Sequence, residues 1–426
     1  MRDTATFREE PLLSWQFVAA SAARRTAFDV LLRVERDAAF ADELLHSARL
    51  DALEERERAF VTTLVMGCLR RRGELDHAVS GRLRKPLPSV DLEVLVALRL
   101  GTYQLRYMRS VPDHAAVSEA VELVKGAGKR SAAGLANAVL RRLPPPPPPD
   151  QAARLSHPDW LVRRWRSSLG RQDCETLLGA NLRQPSAYFR IPPPASSETV
   201  LPLLGQAGLV AEPTTLPRVF RLASGRAAAA TRASQGAIAF LDINSQRVAE
   251  SLEVLPGCRV LDVCAAPGGK ARILAECGPV VAGDRSFHRL RAMRRLGCHG
   301  IRLLQMDAER AFPLTARFDR ILVDAPCSGT GTLARNPEIK WRLRAADLDD
   351  LQARQICILR NASDALAPGG LLVYSTCSLE PEENEHVVRT ALQNRPGWKA
   401  RRVLATLPGK DPGDGFQAWR IERLDA

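Results

Sequence analysis

Two cysteines sit where the chain could do chemistry. Cys327 lies in Asp324-Ala325-Pro326-Cys327-Ser328-Gly329-Thr330-Gly331, and Cys377 in Tyr374-Ser375-Thr376-Cys377-Ser378. Each follows a short apolar run that reads as a buried strand, Arg320-Ile321-Leu322-Val323 and Leu371-Leu372-Val373-Tyr374. In an open α/β sheet, ligands bind beyond the carboxyl ends of the strands, so both thiols are expected in one cleft. A thiol is a strong nucleophile for an electron-poor carbon, because a few per cent is thiolate at neutral pH without help. Two in one cleft suit a reaction in which a covalent adduct is made and then released. The thiols alone do not separate this from two buried structural cysteines, a common fate of free Cys.

The elements that would carry them follow from periodicity. From about Gln235, candidate strands Arg259–Val263, Val280–Gly283, Arg302–Gln305, Arg320–Val323 and Leu371–Tyr374 alternate with helical stretches, which implies a parallel, doubly wound sheet. Earlier, from Ala22 to Leu143, the pattern is helical. Ala27, Val30, Leu31 and Val34 fall on one face, as do Phe60, Leu64 and Cys68; Leu92, Leu95, Val96, Leu100 and Tyr103; and Val117, Val121 and Val124; a last stripe covers 135–143. Pro144 to Pro149 are six consecutive prolines, expected to form a stiff spacer. The predicted divisions are a loose tail over 1–20, an all-α domain over 21–143, a linker over 144–150, a small mixed α/β subdomain over 151–234 and an α/β domain over 235–426. The mixed part opens with Trp160, Arg163, Arg164, Trp165 and Arg166, which suit either stacking on unpaired bases or plain core packing. It continues through an expected strand at Tyr188-Phe189-Arg190-Ile191.

The strand Arg259–Val263 runs into Cys264-Ala265-Ala266-Pro267-Gly268-Gly269-Lys270 and then a helix, a layout for the polar part of a nucleotide-like ligand. A P-loop needs Gly where Cys264 stands and Ser or Thr where Ala271 stands, which disfavours ATP. A dinucleotide fingerprint needs more glycines than Gly268 and Gly269. S-adenosylmethionine fits best. Asp284, 22 residues past Asp262, is positioned for ribose hydroxyls, Asp307 at the third strand end for adenine, and Asp324 follows at the fourth. Each Asp alone is readable as a helix cap; three in order at successive strand ends are not.

The totals set bounds. The chain has 426 residues, 45% hydrophobic and 26% charged, enough for two or three domains with a sizeable core. It has no run of 18 apolar residues and no basic-then-apolar start, so neither a membrane span nor a signal segment is expected. Nine scattered cysteines without C-x-x-C spacing argue for a reducing cytoplasm and against structural zinc or a disulfide framework. A net charge of +13 favours a polyanionic partner.

The three motifs at Val260–Lys270, Asp324–Gly329 and Ser375–Ser378, with Glu383-Asn384-Glu385 behind them, resemble the Sun family of RNA 5-methylcytosine methyltransferases. Val111–Val117, with His114 read as a helix-start feature, and Asn137–Arg141 resemble a NusB-like RNA-binding domain. There are departures: Asp242-Ile243-Asn244-Ser245-Gln246 replaces the family's acidic-small-Ser-Gln segment, and Gln417 replaces an aromatic after Asp414-Gly415-Phe416.

The resemblance implies a NusB-like helical domain, an RNA-binding subdomain and a Rossmann-like methyltransferase domain. It implies methylation of carbon 5 of one cytosine in 16S ribosomal RNA by a monomer using S-adenosylmethionine and no metal. It assigns the nucleophile to Cys377 and adduct release to Cys327. Asp324 would meet the Watson–Crick edge, and Lys270 would assist a thiolate or bind phosphate. The target base must be unpaired or flipped. Competing readings are the same chemistry on tRNA or another RNA, a non-catalytic RNA-binding assembly factor, and a nicotinamide dehydrogenase.

Overall fold

A computed structural model describes residues 20–47, 50, 52–295 and 300–423; the expected tail lies outside them except for Ala20. The chain forms two compact units, one reaching Val162 together with Asn336–Glu338, the other Arg163–Arg335 with Ile339 onward.

Helical spacing builds the first unit. Helices α1 (Ala22–Arg36), α2 (Ala41–Leu45), α3 (Glu55–Arg70), α4 (Arg72–Ser80), α5 (Leu92–Tyr107), α6 (Asp113–Gly126) and α7 (Ala133–Leu140) turn their apolar faces inward. Ala27, Val30, Leu31 and Val34 of α1 meet Leu64 and Cys68 of α3 and Val96 and Leu100 of α5 in one core. Leu135 departs from the expected last stripe and is 42% exposed; the buried face of α7 is Ala136, Val139 and Leu140. Buried charge is paired. Arg99 donates to both oxygens of Asp76 (2.6 and 2.8 Å) and to Glu35 (3.0 Å), the bidentate geometry that makes a buried arginine tolerable. Helix α6 begins at Asp113, beside the exposed His114, as the sequence suggests. The proline run is not wholly a spacer: Pro149 is the first residue of α8 (Pro149–Leu155), where its missing N–H has no helical partner to lose.

The second unit begins at Arg163, inside the long helix α9 (Asp159–Asn181), which is broken at Gly170 where φ is 80°. Leu161 and Trp165, one helical turn apart, are buried. Trp165 is therefore core rather than a stacking platform, and its indole N–H donates to Glu380 at 2.9 Å. Arg164 pairs with Glu380 and Glu382, while Arg163 and Arg166 stay exposed. A four-stranded antiparallel sheet comes next, built from β1 (Ala187–Arg190), β2 (Val210–Pro213), β3 (Val219–Ser224) and β4 (Ala239–Phe240) in the order β2-β3-β1-β4. Helices α10 (Ser197–Gln206) and α11 (Ala227–Ala233) cover it through Val200, Leu204 and Ala230. Arg190 fastens this sheet to the larger α/β domain, donating to Glu250 (2.8 Å) and to both oxygens of Glu276.

After α12 (Ile243–Glu250) come β5 (Val260–Asp262), α13 (Gly269–Leu274), β6 (Val280–Asp284), α14 (Phe287–Arg295), β7 (Ile301–Gln305), β8 (Phe318–Asp324), α15 (Ile339–Arg342), α16 (Asp347–Asp364), β9 (Leu366–Thr376), α17 (Glu385–Leu392), β10 (Trp398–Ala405) and β11 (Gln417–Arg423). The seven-stranded sheet has the order β10-β11-β9-β8-β5-β6-β7. Its five expected strands run parallel, and β11 and β10 extend it antiparallel from β9. Strand β5 has β6 on one side and β8 on the other, so the crossovers leave it in opposite directions and open a crevice at the carboxyl ends. Among the described residues no helix is long and apolar enough to cross a membrane.

Candidate active site

Four aspartates stand along the carboxyl edge of the parallel strands. Asp262, Asp284 and Asp324 end β5, β6 and β8, and Asp307 lies two residues past β7. Across the sheet they run Asp324, Asp262, Asp284, Asp307. Beneath them the turn Cys264–Gly269 leaves β5. Gly268 has φ 104°, a left-handed conformation that glycine alone adopts freely, and a Cβ there would meet Met293 at 3.0 Å. The turn is stitched to β6: Ala265 N–H donates to Gly283 O at 2.8 Å, and Ala266 N–H to Asp284 at 3.3 Å.

These residues fit the expected cofactor in charge and in valence. S-adenosylmethionine carries a sulfonium and an ammonium against a single carboxylate, and the row of acidic side chains offers counter-charge for that net cation. Asp262 is 1% exposed and neither side-chain oxygen has a hydrogen-bond partner. Burial, then repulsion from Asp324, pushes its carboxyl up to about 8 despite Lys270 nearby. A buried orphan carboxyl is costly unless a cation or donor compensates it. Asp284 is also buried and accepts from Ser286 N–H at 2.8 Å; Arg289 lies across Asp284 and the carbonyl of Ala266. Asp307 is partly exposed and accepts from Glu309 N–H at 3.1 Å. A carboxylate has about four acceptor positions, so both retain capacity for hydroxyl or amino donors.

At the β8 and β9 ends the two thiols are partly exposed and in contact, with Cys327 Sγ 3.4 Å from Cys377 Sγ. The hydrogen bond to Cys377, then burial, holds the Cys327 thiol well above the ordinary range. Beside them Asp324 accepts from Lys270 Nζ at 2.7 Å on one oxygen and from the Ser375 hydroxyl at 2.8 Å on the other. Lys270 is not the surface lysine that its place near a helix start allows. Only 12% of its side chain is exposed, and it lies 5.2 Å over the Phe416 ring. Burial alone would lower its pKa, but the charge and hydrogen bond of Asp324 outweigh this, and the ammonium is held above its ordinary value with Cys377 also in its field.

The fold thus brings Cys327, Cys377, Asp324 and Lys270 together, and sets Cys264, Ala265, Ala266, Pro267, Gly268, Gly269, Asp284 and Asp307 along the adjoining strand ends. Sequence reasoning gave no role to Ser375, although it lies inside the motif around Cys377. It also gave none to Asp262, whose place inside an apolar run was the available signal. A cavity of about 420 Å³ lies along α13, lined among others by Arg190, Phe240, Leu241 and Arg272; neither thiol and none of the four aspartates lines it.

Comparison with known proteins bears on the whole chain. A family model for 16S rRNA methyltransferase RsmB/F matches residues 249–418, one for the NusB family residues 21–144, and one for an RsmF/B-like ferredoxin-like domain residues 157–228. The chain is 33% identical over 399 residues to a protein of Bacillus subtilis named probable ribosomal RNA small subunit methyltransferase B, covering 88% of this chain and 89% of that one. A Synechocystis protein of the same name is 32% identical over 412 residues, covering 91% and 92%. The crystal structure of PH0851 superposes with a TM-score of 0.79 at 22% identity, over 96% of this chain and 100% of that one, a likeness of fold.

Proposed function

Because the chain belongs to the ribosomal RNA small subunit methyltransferase B family, we propose that it methylates carbon 5 of an unpaired cytosine in 16S ribosomal RNA through a covalent adduct on Cys377. The observation that carries this reading is the pair of thiols 3.4 Å apart, beside an aspartate whose oxygens are held by Lys270 and Ser375. Carbon 5 of cytosine is a poor nucleophile, and adding a thiolate at carbon 6 turns it into an enamine carbon.

Bound S-adenosylmethionine supplies an electrophilic methyl group on a sulfonium. The Cys264–Gly269 turn and the carboxylate row would hold it, with Asp284 at the ribose and Asp307 at the adenine. Cys377 acts as the nucleophile, with the Lys270 ammonium close enough to interact with it electrostatically. Its sulfur bonds carbon 6 and the ring's electron pair shifts to carbon 5, which takes the methyl. Asp324 accepts a hydrogen bond from the base's exocyclic amine and orients the ring, and Lys270 offsets charge building toward nitrogen 3. Release reverses the addition. Cys327 gives its proton to the departing Cys377 sulfur as the carbon 6–sulfur bond breaks, and takes the carbon 5 proton in exchange. Both thiols then hold protons, and one is lost to solvent before the next turnover, which balances the net reaction.

The test is methyl transfer from tritiated S-adenosylmethionine to ribosomal RNA of a strain lacking the gene, followed by bisulfite sequencing. One protected cytosine in 16S RNA is expected. Label confined to transfer RNA, or no label, contradicts the reading.

A further inference from the structure

The carboxylate of Glu383 is completely buried and grips both cysteine loops. One oxygen accepts from Ser328 N–H at 2.8 Å and from Gln355 Nε2 at 2.9 Å; the other accepts from the hydroxyls of Ser328 and Ser378. Ser328 follows Cys327 in sequence and Ser378 follows Cys377. The two hydroxyls lie 3.1 Å apart, and Gln355 also donates to Pro326 O at 2.9 Å. Backbone contacts close the same seam: Gly331 N–H donates to Cys377 O at 2.9 Å, and Leu379 N–H to the Thr330 hydroxyl at 2.9 Å. A Cβ on Gly331 would lie 2.8 Å from that Cys377 carbonyl and 2.2 Å from Gly415 O, so the approach needs glycine.

We propose that Glu383 is the positioning residue that fixes the separation of the two thiols, and through it the step that releases product. This rests on the methyltransferase reading. Addition to the base needs Cys377 alone, whereas release needs Cys327 within hydrogen-bonding reach of the Cys377 sulfur. Parallel strands β8 and β9 carry the two cysteines but cannot set the contact, because both thiols lie beyond the ladder. A charged acceptor taking donors from the residue after each thiol sets it, with charge-assisted bonds stronger than neutral ones. In Glu383→Gln the amide presents N–H groups where the two serine hydroxyls now donate, and the seam loosens.

Two measurements test this. In the full-length protein with labelled RNA and S-adenosylmethionine, Glu383→Gln should slow decay of the covalent protein–RNA adduct by roughly ten- to a hundredfold, the scale of a misplacement near 1 Å. Adduct formation and cofactor affinity should change by less than about threefold, and the adduct should accumulate. Without RNA, diamide takes two hydrogens from a thiol pair in contact to give a disulfide. Peptide mapping should show the Cys327–Cys377 bond forming in the wild type and roughly tenfold more slowly in Glu383→Gln. Equal slowing of adduct formation and decay, or unchanged diamide kinetics, overturns the proposal. If wild type crosslinks readily yet never forms an adduct with RNA, the methyltransferase reading fails and the positioning of the thiols stands. Should Glu383→Gln not fold, Gln355→Met removes one donor to the same carboxylate and should shift both readouts in the same direction.

Discussion

Lys270 and Asp324 form an ion pair 2.7 Å long at the junction of the cofactor turn and the thiol loops. The pair puts a fixed cation next to Asp324 and in the field of Cys377, so on the proposed mechanism its effect falls on the chemical step. Lys270→Met should lower methyl transfer by roughly a hundredfold, the scale seen when one preorganised electrostatic group is removed. Cofactor affinity should change less. Single-turnover rates beside calorimetric binding separate the two; an equal loss in both would make Lys270 a cofactor residue.

Asp284→Ala should weaken S-adenosylmethionine by about 1–3 kcal/mol, the cost of losing a charge-assisted hydrogen bond. Because Asp284 also holds Ala266 N–H and Ser286 N–H, the variant should be checked by thermal melting first. Unchanged affinity in a folded variant would take Asp284 out of the ribose site.

Asp262 gives a pH dependence with a definite sign. Its carboxyl titrates at about 8 in the folded chain, raised by burial and by Asp324 and Asp284 against Lys270. The native state therefore holds this proton more tightly than the unfolded chain does. The contribution to stability is greatest below the ordinary carboxylate range and is lost as pH rises through about 8. A cationic ligand beside it favours the carboxylate form. Binding of S-adenosylmethionine should then release up to about one proton below that pH and tighten as pH rises. Calorimetry in two buffers of different ionisation enthalpy measures the proton count, and Asp262→Asn should abolish it. A count of zero in the wild type would contradict the assignment.

Affinity for RNA should fall linearly in log–log form with salt. Arg163 and Arg166 are exposed on α9, and replacing both by Glu should reduce the slope by roughly 1.4, about 0.7 for each single-strand phosphate lost. An unchanged slope would leave both arginines as solvated surface.

The parallel core was legible because strands buried on both faces are continuous apolar runs, as in Ile321, Leu322 and Val323. The strand-end aspartates and both thiols were legible for the same reason, since each ends such a run. Strands β10 and β11 were not. Lys399, Arg401 and Arg402 break any apolar pattern on the edge strand, and Arg420 and Glu422 do so on its neighbour. Trp165 carried its own signal in the four-residue spacing from Leu161, which marks a buried helix face rather than a stacking platform. The link from Glu383 to Ser328 left none, because 55 residues separate them and no local periodicity connects them.

The most direct test compares Cys377→Ala with Cys327→Ala on a denaturing gel with labelled RNA and S-adenosylmethionine. If Cys377 attacks and Cys327 serves release, Cys377→Ala should lose methylation and show no slow-migrating band, because the enamine never forms. Cys327→Ala should stop turnover yet accumulate a slow band of protein joined to methylated RNA. A slow band in Cys377→Ala instead would reverse the two roles, and full activity in both variants would contradict covalent catalysis by this pair.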